Sequence, residues 1–73
     1  MIKTIYYYLY IDSNPYRMFF YRYGVAPVIG GHCDMAMRFS SKEKAQLALD
    51  TFPEQLQGWS MKSFVHIDHK LGA

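Results

Sequence analysis

The segment that most restricts the fold is KTIYYYLYID, Lys3 to Asp12, because it is apolar or aromatic at odd and even positions alike. It has four tyrosines within five consecutive positions. Aromatic and β-branched residues favour a strand, and strand side chains alternate between the two faces of a sheet. A strand with one solvated face should alternate apolar with polar residues. This one does not, so both of its faces need an explanation.

Length and composition limit the architecture to one small domain. The chain has 73 residues and a formal net charge of +2, which predicts a single α+β domain over residues 1–73. A core of this size is marginal, and the single cysteine, Cys33, cannot form an internal disulfide. One cysteine fits a reducing compartment, so we expect a cytoplasmic protein. No apolar run approaches the about 20 residues of a membrane helix, so no membrane association is expected.

Three strands are predicted in the first half of the chain. Aromatic and apolar residues predict strands from Ile2 to Ile11 and from Tyr16 to Tyr23, joined by the turn DSNP. Gly30 and Gly31 suit a two-residue hairpin turn. Regular alternation then predicts a third strand from His32 to Phe39, with Cys33 on the buried side as a small core residue.

A helix and a fourth strand are predicted in the second half. The helix extends from about Ser41 to Phe52, with Ser40 and Glu43 at the spacing of a capping box, and it ends because Pro53 cannot donate a backbone hydrogen bond. The last strand extends from about Ser60 to Ile67. The residues at helical spacing are Ala45, Ala48, Leu49, Phe52 and Leu56.

The element order β-β-β-α-β predicts a four-stranded, mainly antiparallel sheet with one helix packed on one face. A right-handed return favours the strand order 4-1-2-3, with the last strand parallel to the first or the third. The residues predicted to face the helix are Ile5, Tyr7, Leu9, Ile11, Met35, Met37, Phe39, Val65 and Ile67.

One helix leaves the opposite face of the sheet uncovered, and that face is the candidate site. Exposed aromatic patches of this kind usually mark an interaction surface, and tyrosine and arginine are frequent interface anchors. We therefore predict a partner-binding surface of Tyr6, Tyr8, Tyr10, Tyr21 and Arg38. Phe64 and His66 share this face, with either Phe19, Tyr21 and Tyr23 or, in the other register, Met18, Phe20 and Arg22.

Three interpretations of this face are open. The tyrosines reflect β propensity alone, or the face binds another protein or a second copy of this chain, or it stacks the bases of single-stranded RNA or DNA. The small net charge and the lack of an RRM signature favour a protein partner. Self-association as a two-fold homodimer would shield the face and compensate for a small core.

The sequence contains no arrangement typical of catalysis or metal binding. Strand residues that are one or three positions apart point to opposite faces, so the pairs His32 with Cys33 and His66 with His69 do not converge. A single cysteine cannot supply the thiolates of a structural zinc site, and the helix carboxylates lack the paired placement of acid–base catalysis. We predict a non-enzymatic protein with no catalytic residue, no metal and no cofactor.

One segment resembles a known group of proteins. RFSSKEKAQLALDTFPE, Arg38 to Glu54, is similar to a segment of small uncharacterised phage proteins, in which an aromatic residue and Ser or Thr precede K-E-x-A and a Leu-Phe stripe. It covers about a quarter of the chain. The resemblance implies a single-domain accessory protein that binds and blocks a host defence or regulatory protein, in the style of small anti-CRISPR proteins. It implies no functional residues.

Overall fold

The computed structural model describes residues 2–68, which form a four-stranded antiparallel sheet with one helix on one face. The spatial order of the strands is β3-β2-β1-β4, as predicted, so the α+β class and the strand order are confirmed. Within these residues, no helix has the length and apolar character needed to cross a bilayer. The elements are β1 (Ile2–Asp12), β2 (Arg17–Arg22), β3 (Val28–Gly30), a 3-10 turn (Cys33–Met35), α1 (Lys42–Thr51) and β4 (Ser60–Asp68).

The third strand predicted from His32 to Phe39 is wrong. The edge of β2 is instead occupied by β3, which pairs Phe20 with Ile29. Gly30 is the last residue of β3 and Gly31 follows it, so the two glycines do not form a hairpin turn. Cys33 lies in the 3-10 turn and is exposed, not part of the core. Only the end of the predicted strand joins the sheet, where Phe39 forms an antiparallel bridge with Tyr7.

The direction of β4 contradicts the predicted alternative in which the last strand lies parallel to the first. β4 is antiparallel to β1, with Ile5 opposite Val65. Residues 37–39 explain this direction, because they run antiparallel to β1 on its other side and α1 then returns the chain to the opposite end of the sheet. β4 is therefore parallel to residues 37–39, and the two segments flank β1.

The predicted helix is confirmed, with a shift of one residue at its N-cap. The side chain of Ser41, not that of Ser40, accepts a hydrogen bond from the backbone N–H of Lys44, with an N–O distance of 3.2 Å. At the other end Phe52 is the C-cap and Pro53 follows it. Capping by a serine oxygen satisfies one of the free N–H groups of the first turn.

A buried cluster between α1 and the sheet forms the core. The helix contributes the small residues Ala45 and Ala48, which are fully buried and let the helix approach the strands closely. Phe52 is buried as predicted, whereas Leu49 is half-buried at the margin of the cluster. The cluster consists of Leu9, Phe20, Phe39, Ala45, Ala48, Phe52 and Leu56, with Tyr7, Met37, Leu49, Trp59 and Met61 packed against it.

The predicted helix-facing set is wrong at the far end of the sheet. Ile5, Val65 and Ile67 are 52%, 55% and 40% exposed, although Ile5 has the same phase as buried Leu9. The helix has 10 residues and is about 15 Å long, whereas β1 has 11 residues and is about 36 Å long. Met35, also in that set, is exposed in the 3-10 turn. The helix thus covers only part of the β1–β4 ribbon.

Substitution of Phe52 should show how much the core depends on this helix anchor. We expect Phe52→Ala to lower the free energy of unfolding by about 3–5 kcal/mol, because it leaves a cavity beside two other rings. Those rings are Phe20, at a centroid distance of 6.3 Å, and Tyr23, at 6.0 Å. Chemical denaturation measures the change.

Leu47→Ala is the matched control for this substitution. Leu47 lies on the exposed side of the same helix, so its truncation should change the free energy of unfolding by no more than about 0.5 kcal/mol. Equal effects of the two substitutions would contradict the assignment of Phe52 as the anchor.

Candidate partner-binding face

The face of the sheet opposite α1, called the outer face below, carries an interlocked group of aromatic rings. Tyr6 is opposite Phe64 in the register, and their ring centroids are 5.8 Å apart. Tyr8 lies at the centre, with its ring 5.8 Å from Phe64 and 5.9 Å from Phe19. The outer aromatic cluster comprises Tyr6, Tyr8, Tyr10, Phe19, Phe64 and His66.

Arg38 lies over one side of this cluster. The carbon of its guanidinium group is 5.9 Å from the ring centre of Tyr6 and 5.8 Å from that of Phe64. Such cation–π contacts contribute about 0.5–1 kcal/mol at exposed sites. Among residues 2–68 Arg38 forms no ion pair, so its charge is available to an acidic group brought by a partner.

Two further cations extend the positive charge along the outer face. Arg17 lies 4.5 Å from the ring centre of Tyr10 and forms an ion pair of 2.7 Å with Asp12. The hydrogen bond to Asp12 raises the pKa of Arg17 above its usual value. Lys62 is opposite Tyr8 in the register, which places it on the same face. Asp12 is thus already paired, whereas Arg38 and Lys62 form no ion pair among residues 2–68.

A connecting segment, residues 31–38, crosses the outer face after β3. The backbone N–H of His32 donates a hydrogen bond of 2.7 Å to the hydroxyl of Tyr21. Further along, the backbone N–H of Met37 donates to the carbonyl of Phe20 over 2.8 Å. Phe19 is only 7% exposed although it points away from the helix, because this segment lies over it.

The connecting segment and the aromatic cluster enclose an open cavity of about 360 Å³. Its lining combines three rings, two guanidinium groups and the thiol of the chain's one cysteine. An apolar floor with a few polar groups at the rim is typical of pockets that accept a side chain or a small planar group. The lining residues are Tyr8, Arg17, Phe19, Cys33, Ala36, Arg38 and Phe64.

The structure brings together four of the five predicted site residues. Tyr6, Tyr8, Tyr10 and Arg38 belong to the outer aromatic cluster or lie directly over it. Tyr21 is on the same face, but its ring covers Gly30 and its hydroxyl holds the connecting segment. A contact between Tyr21 and a partner stays a prediction.

The register of β2 decides between the two sets left open by the sequence. Phe19 is opposite Tyr10 and therefore faces outward, whereas Phe20 is buried in the core. Tyr23, which belonged to the outward set, instead contacts Phe52 on the helix side. The reason is an irregularity between Phe20 and Arg22, which interrupts the alternation.

Sequence reasoning missed the cavity and two residues that line it, Arg17 and Cys33. Arg17 follows the turn after β1, and its spacing from Asp12 was the one available signal for an ion pair across that turn. Cys33 was assigned to a strand that does not form. Between residues 2 and 68, no group of three or more His, Cys, Asp or Glu side chains could hold a metal ion. His69, named in the sequence analysis, lies outside the described residues.

Comparisons with protein-family models, with curated proteins and with solved structures found no match for this chain. The geometry and charge of the outer face therefore carry the functional inference.

Substitution of Gly30 should test how the connecting segment is held. We expect Gly30→Ala to lower the free energy of unfolding by about 1–3 kcal/mol, because its Cβ would overlap the Tyr21 ring. Displacement of that ring would also break the hydrogen bond to His32. Gly31→Ala is the control, since its Cβ would lie 3.8 Å from the carbonyl oxygen of Arg17, an ordinary contact. Thermal denaturation that finds both variants equally stable would contradict this arrangement.

Proposed function

We propose that the protein is a non-enzymatic binding protein that holds another protein against its outer face. The observation that carries this proposal is the aromatic cluster centred on Tyr8, which borders an open cavity beside Arg17 and Arg38. Aromatic residues and arginine supply most of the binding energy in protein interfaces. Tyrosine suits a surface that is exposed before binding, since its ring is apolar and its hydroxyl stays hydrated.

The contrast between the two faces of β1 argues against β propensity as the whole explanation. On the inner side, Tyr7 packs against the core beneath α1. On the outer side, the rings of Tyr6 and Tyr8 both pack against that of Phe64. The guanidinium group of Arg38 lies over the rings of Tyr6 and Phe64. β propensity accounts for tyrosine in a strand but not for a cationic group placed over the rings beside a cavity.

The resemblance of Arg38 to Glu54 to phage accessory proteins supplies the class of partner. In this proposal the partner is a defence or regulatory protein of a bacterial host, and binding blocks its action in the host cytoplasm. The positive charge of Arg38 and Lys62 favours an acidic patch on that protein, because complementary charges raise the association rate and fix the orientation. An acidic residue beside an aromatic one would fit the cavity and its rim.

A second candidate function is the binding of single-stranded RNA or DNA on the same face. Its specific support is the placement of Arg17, Arg38 and Lys62 next to stacked rings. Aromatic platforms bordered by cations bind single strands by base stacking and by contacts with phosphates. Both candidate functions use the same residues, so only the identity of the bound partner can distinguish them.

Truncation of Tyr8 should weaken binding by more than about 1 kcal/mol, because this ring is the centre of the cluster. The measurement is the amount of partner that co-purifies with a tagged copy from the native host, followed by the affinity for that partner once it is identified. The free energy of unfolding should change much less in Tyr8→Ala than in Phe52→Ala.

Tyr16→Ala is the control for this experiment. Tyr16 is an exposed tyrosine in the turn before β2. Among residues 2–68, none of the ring pairs of the outer aromatic cluster includes it. Its truncation should leave binding unchanged. If Tyr8→Ala and Tyr16→Ala retain the same amount of partner, the outer face is not the binding surface.

A salt titration should decide between the two candidate partners. If three cations contact the phosphates of a labelled oligouridine, the logarithm of affinity should fall with the logarithm of salt concentration with a slope of about −2. An interface centred on tyrosine rings should respond weakly to salt. If oligouridine binds with a slope of about −2 and Arg38→Ala abolishes this binding, the partner is a nucleic acid and not a protein.

A further inference from the structure

The two edges of the sheet are protected unequally. The edge formed by β3 has 3 residues, with Pro27 directly before it. The edge formed by β4 has 9 residues, pairs continuously with β1 and contains no proline and no bulge. Natural proteins shorten, bend or cover exposed edge strands because unpaired N–H and C=O groups recruit other strands. Among residues 2–68 nothing pairs with the free side of β4.

The hydrogen-bond pattern shows which groups of β4 are free. Tyr7 exchanges two backbone hydrogen bonds with Phe39, so its N–H and C=O point away from β4. Hydrogen-bonded and non-hydrogen-bonded pairs alternate in an antiparallel ladder. Phe64 therefore bonds to β1 through its partner Tyr6, whereas Ser63 and Val65 direct their N–H and C=O groups to the free edge.

The same strand carries an apolar surface without cover and a groove. Val65 and Ile67 extend beyond α1 and are exposed. At the other end of β4, a groove of about 390 Å³ lies between Met61 and the first turns of α1, and its remaining lining residues are Lys42, Glu43 and Gln46.

We propose that β4 pairs edge to edge, in antiparallel fashion, with β4 of a second copy of this chain. A two-fold axis perpendicular to the sheet would join the two four-stranded sheets into one. Antiparallel pairing places the uncovered end of each strand beside the helix-covered end of the other. Val65 and Ile67 of each copy then lie next to Met61 and α1 of its partner, which extends the core across the axis.

Self-complementarity is the reason for assigning a second copy and not an unrelated strand to this edge. One symmetric contact satisfies the free N–H and C=O groups of both copies and covers both apolar ends, as an isologous interface requires. Both outer faces lie on the same side of the joined sheet and stay open. This interface differs from the one predicted from the sequence, in which the tyrosine face itself mediates the dimer, and it does not depend on the proposed function.

Sedimentation velocity across the micromolar to millimolar range tests the pairing, with Val65→Lys as the disrupting variant. Lys62 of β4 lies on the outer face, whereas a lysine at position 65 would bring its charge into the apolar inner side of the proposed interface, next to Met61 of the second copy. The exposure of Val65 lets the monomer fold. Val25→Lys makes the same exchange at a fully exposed position in the turn between β2 and β3. The natural protein and Val25→Lys should dimerise, and Val65→Lys should dimerise at least tenfold more weakly.

Amide hydrogen exchange gives a second readout, because the backbone N–H groups along β4 alternate between those bonded to β1 and those that point to the free edge. The amides of Ser63 and Val65 should exchange slowly only at concentrations where the dimer forms, whereas that of Phe64 should be protected in monomer and dimer alike. If Val65→Lys fails to fold, Ser63→Pro replaces it, because it removes an outward N–H and spares the ladder with β1.

Three results would overturn the proposal. The first is a natural protein that stays monomeric over the whole range. The second is a dimer that Val65→Lys leaves intact. The third is a dimer abolished by Tyr8→Ala, which would place the interface on the outer face.

Discussion

The pair of hydrogen bonds between Tyr7 and Phe39, each 2.8 Å long, is the contact on which the rest of the arrangement depends. β1 and β2 pair directly only from Tyr10 to Asp12, and beyond that point residues 37–39 lie between them. On one side Met37 bonds to the carbonyl of Phe20, and on the other Phe39 bonds to Tyr7. This insertion carries the chain from the outer face to the start of the helix on the inner face.

The inserted segment serves the core and the candidate site at the same time. Phe39 is buried in the core cluster, while Arg38, its neighbour in sequence, lies over the outer aromatic cluster. Because adjacent residues of extended chain point to opposite faces, the position of Phe39 in the core fixes that of Arg38. The cavity on the outer face has the same origin, since the chain must cross Phe19 to reach the insertion. The insertion of residues 37–39 between β1 and β2 therefore forms the candidate site as well as part of the core.

Aromatic and β-branched residues predicted β1 correctly, although its sequence does not alternate apolar with polar, because both of its faces are covered by other side chains. Leu9 lies in the core and Tyr8 in the outer aromatic cluster. Regular alternation, by contrast, gave a wrong prediction for His32 to Phe39. An alternating pattern does not reveal whether a neighbouring edge is free, and the edge of β2 is already taken by β3. The helix was found from its spacing and caps. Its start shifted because Ser40 and Ser41 both can cap, and the extended backbone of Ser41, with φ −151° and ψ 159°, decides the choice.

The site was predictable where it depends on the phase of one strand and unpredictable where it depends on pairing between strands. Tyr6, Tyr8 and Tyr10 follow from the phase of β1 alone. The outward position of Phe19 follows from its pairing with Tyr10, and local sequence does not encode that register. The same is true of the cavity, which is formed by the connecting segment, β1, β2 and β4 together.

The short length of α1 matters for both proposed surfaces, the β4 edge and the outer face. A longer helix would cover Ile5 and Val65 and remove the apolar end of the ribbon, which is the part that a second copy is proposed to cover. Edge pairing through β4 would place two outer faces side by side on one surface. A partner that offers two matching sites, or a single strand long enough to reach both, would then bind through an effectively intramolecular second step. In that arrangement, the end of the sheet that α1 leaves exposed makes a single copy less stable. The same exposed end forms the dimer contact that raises the affinity for a partner long enough to reach both outer faces.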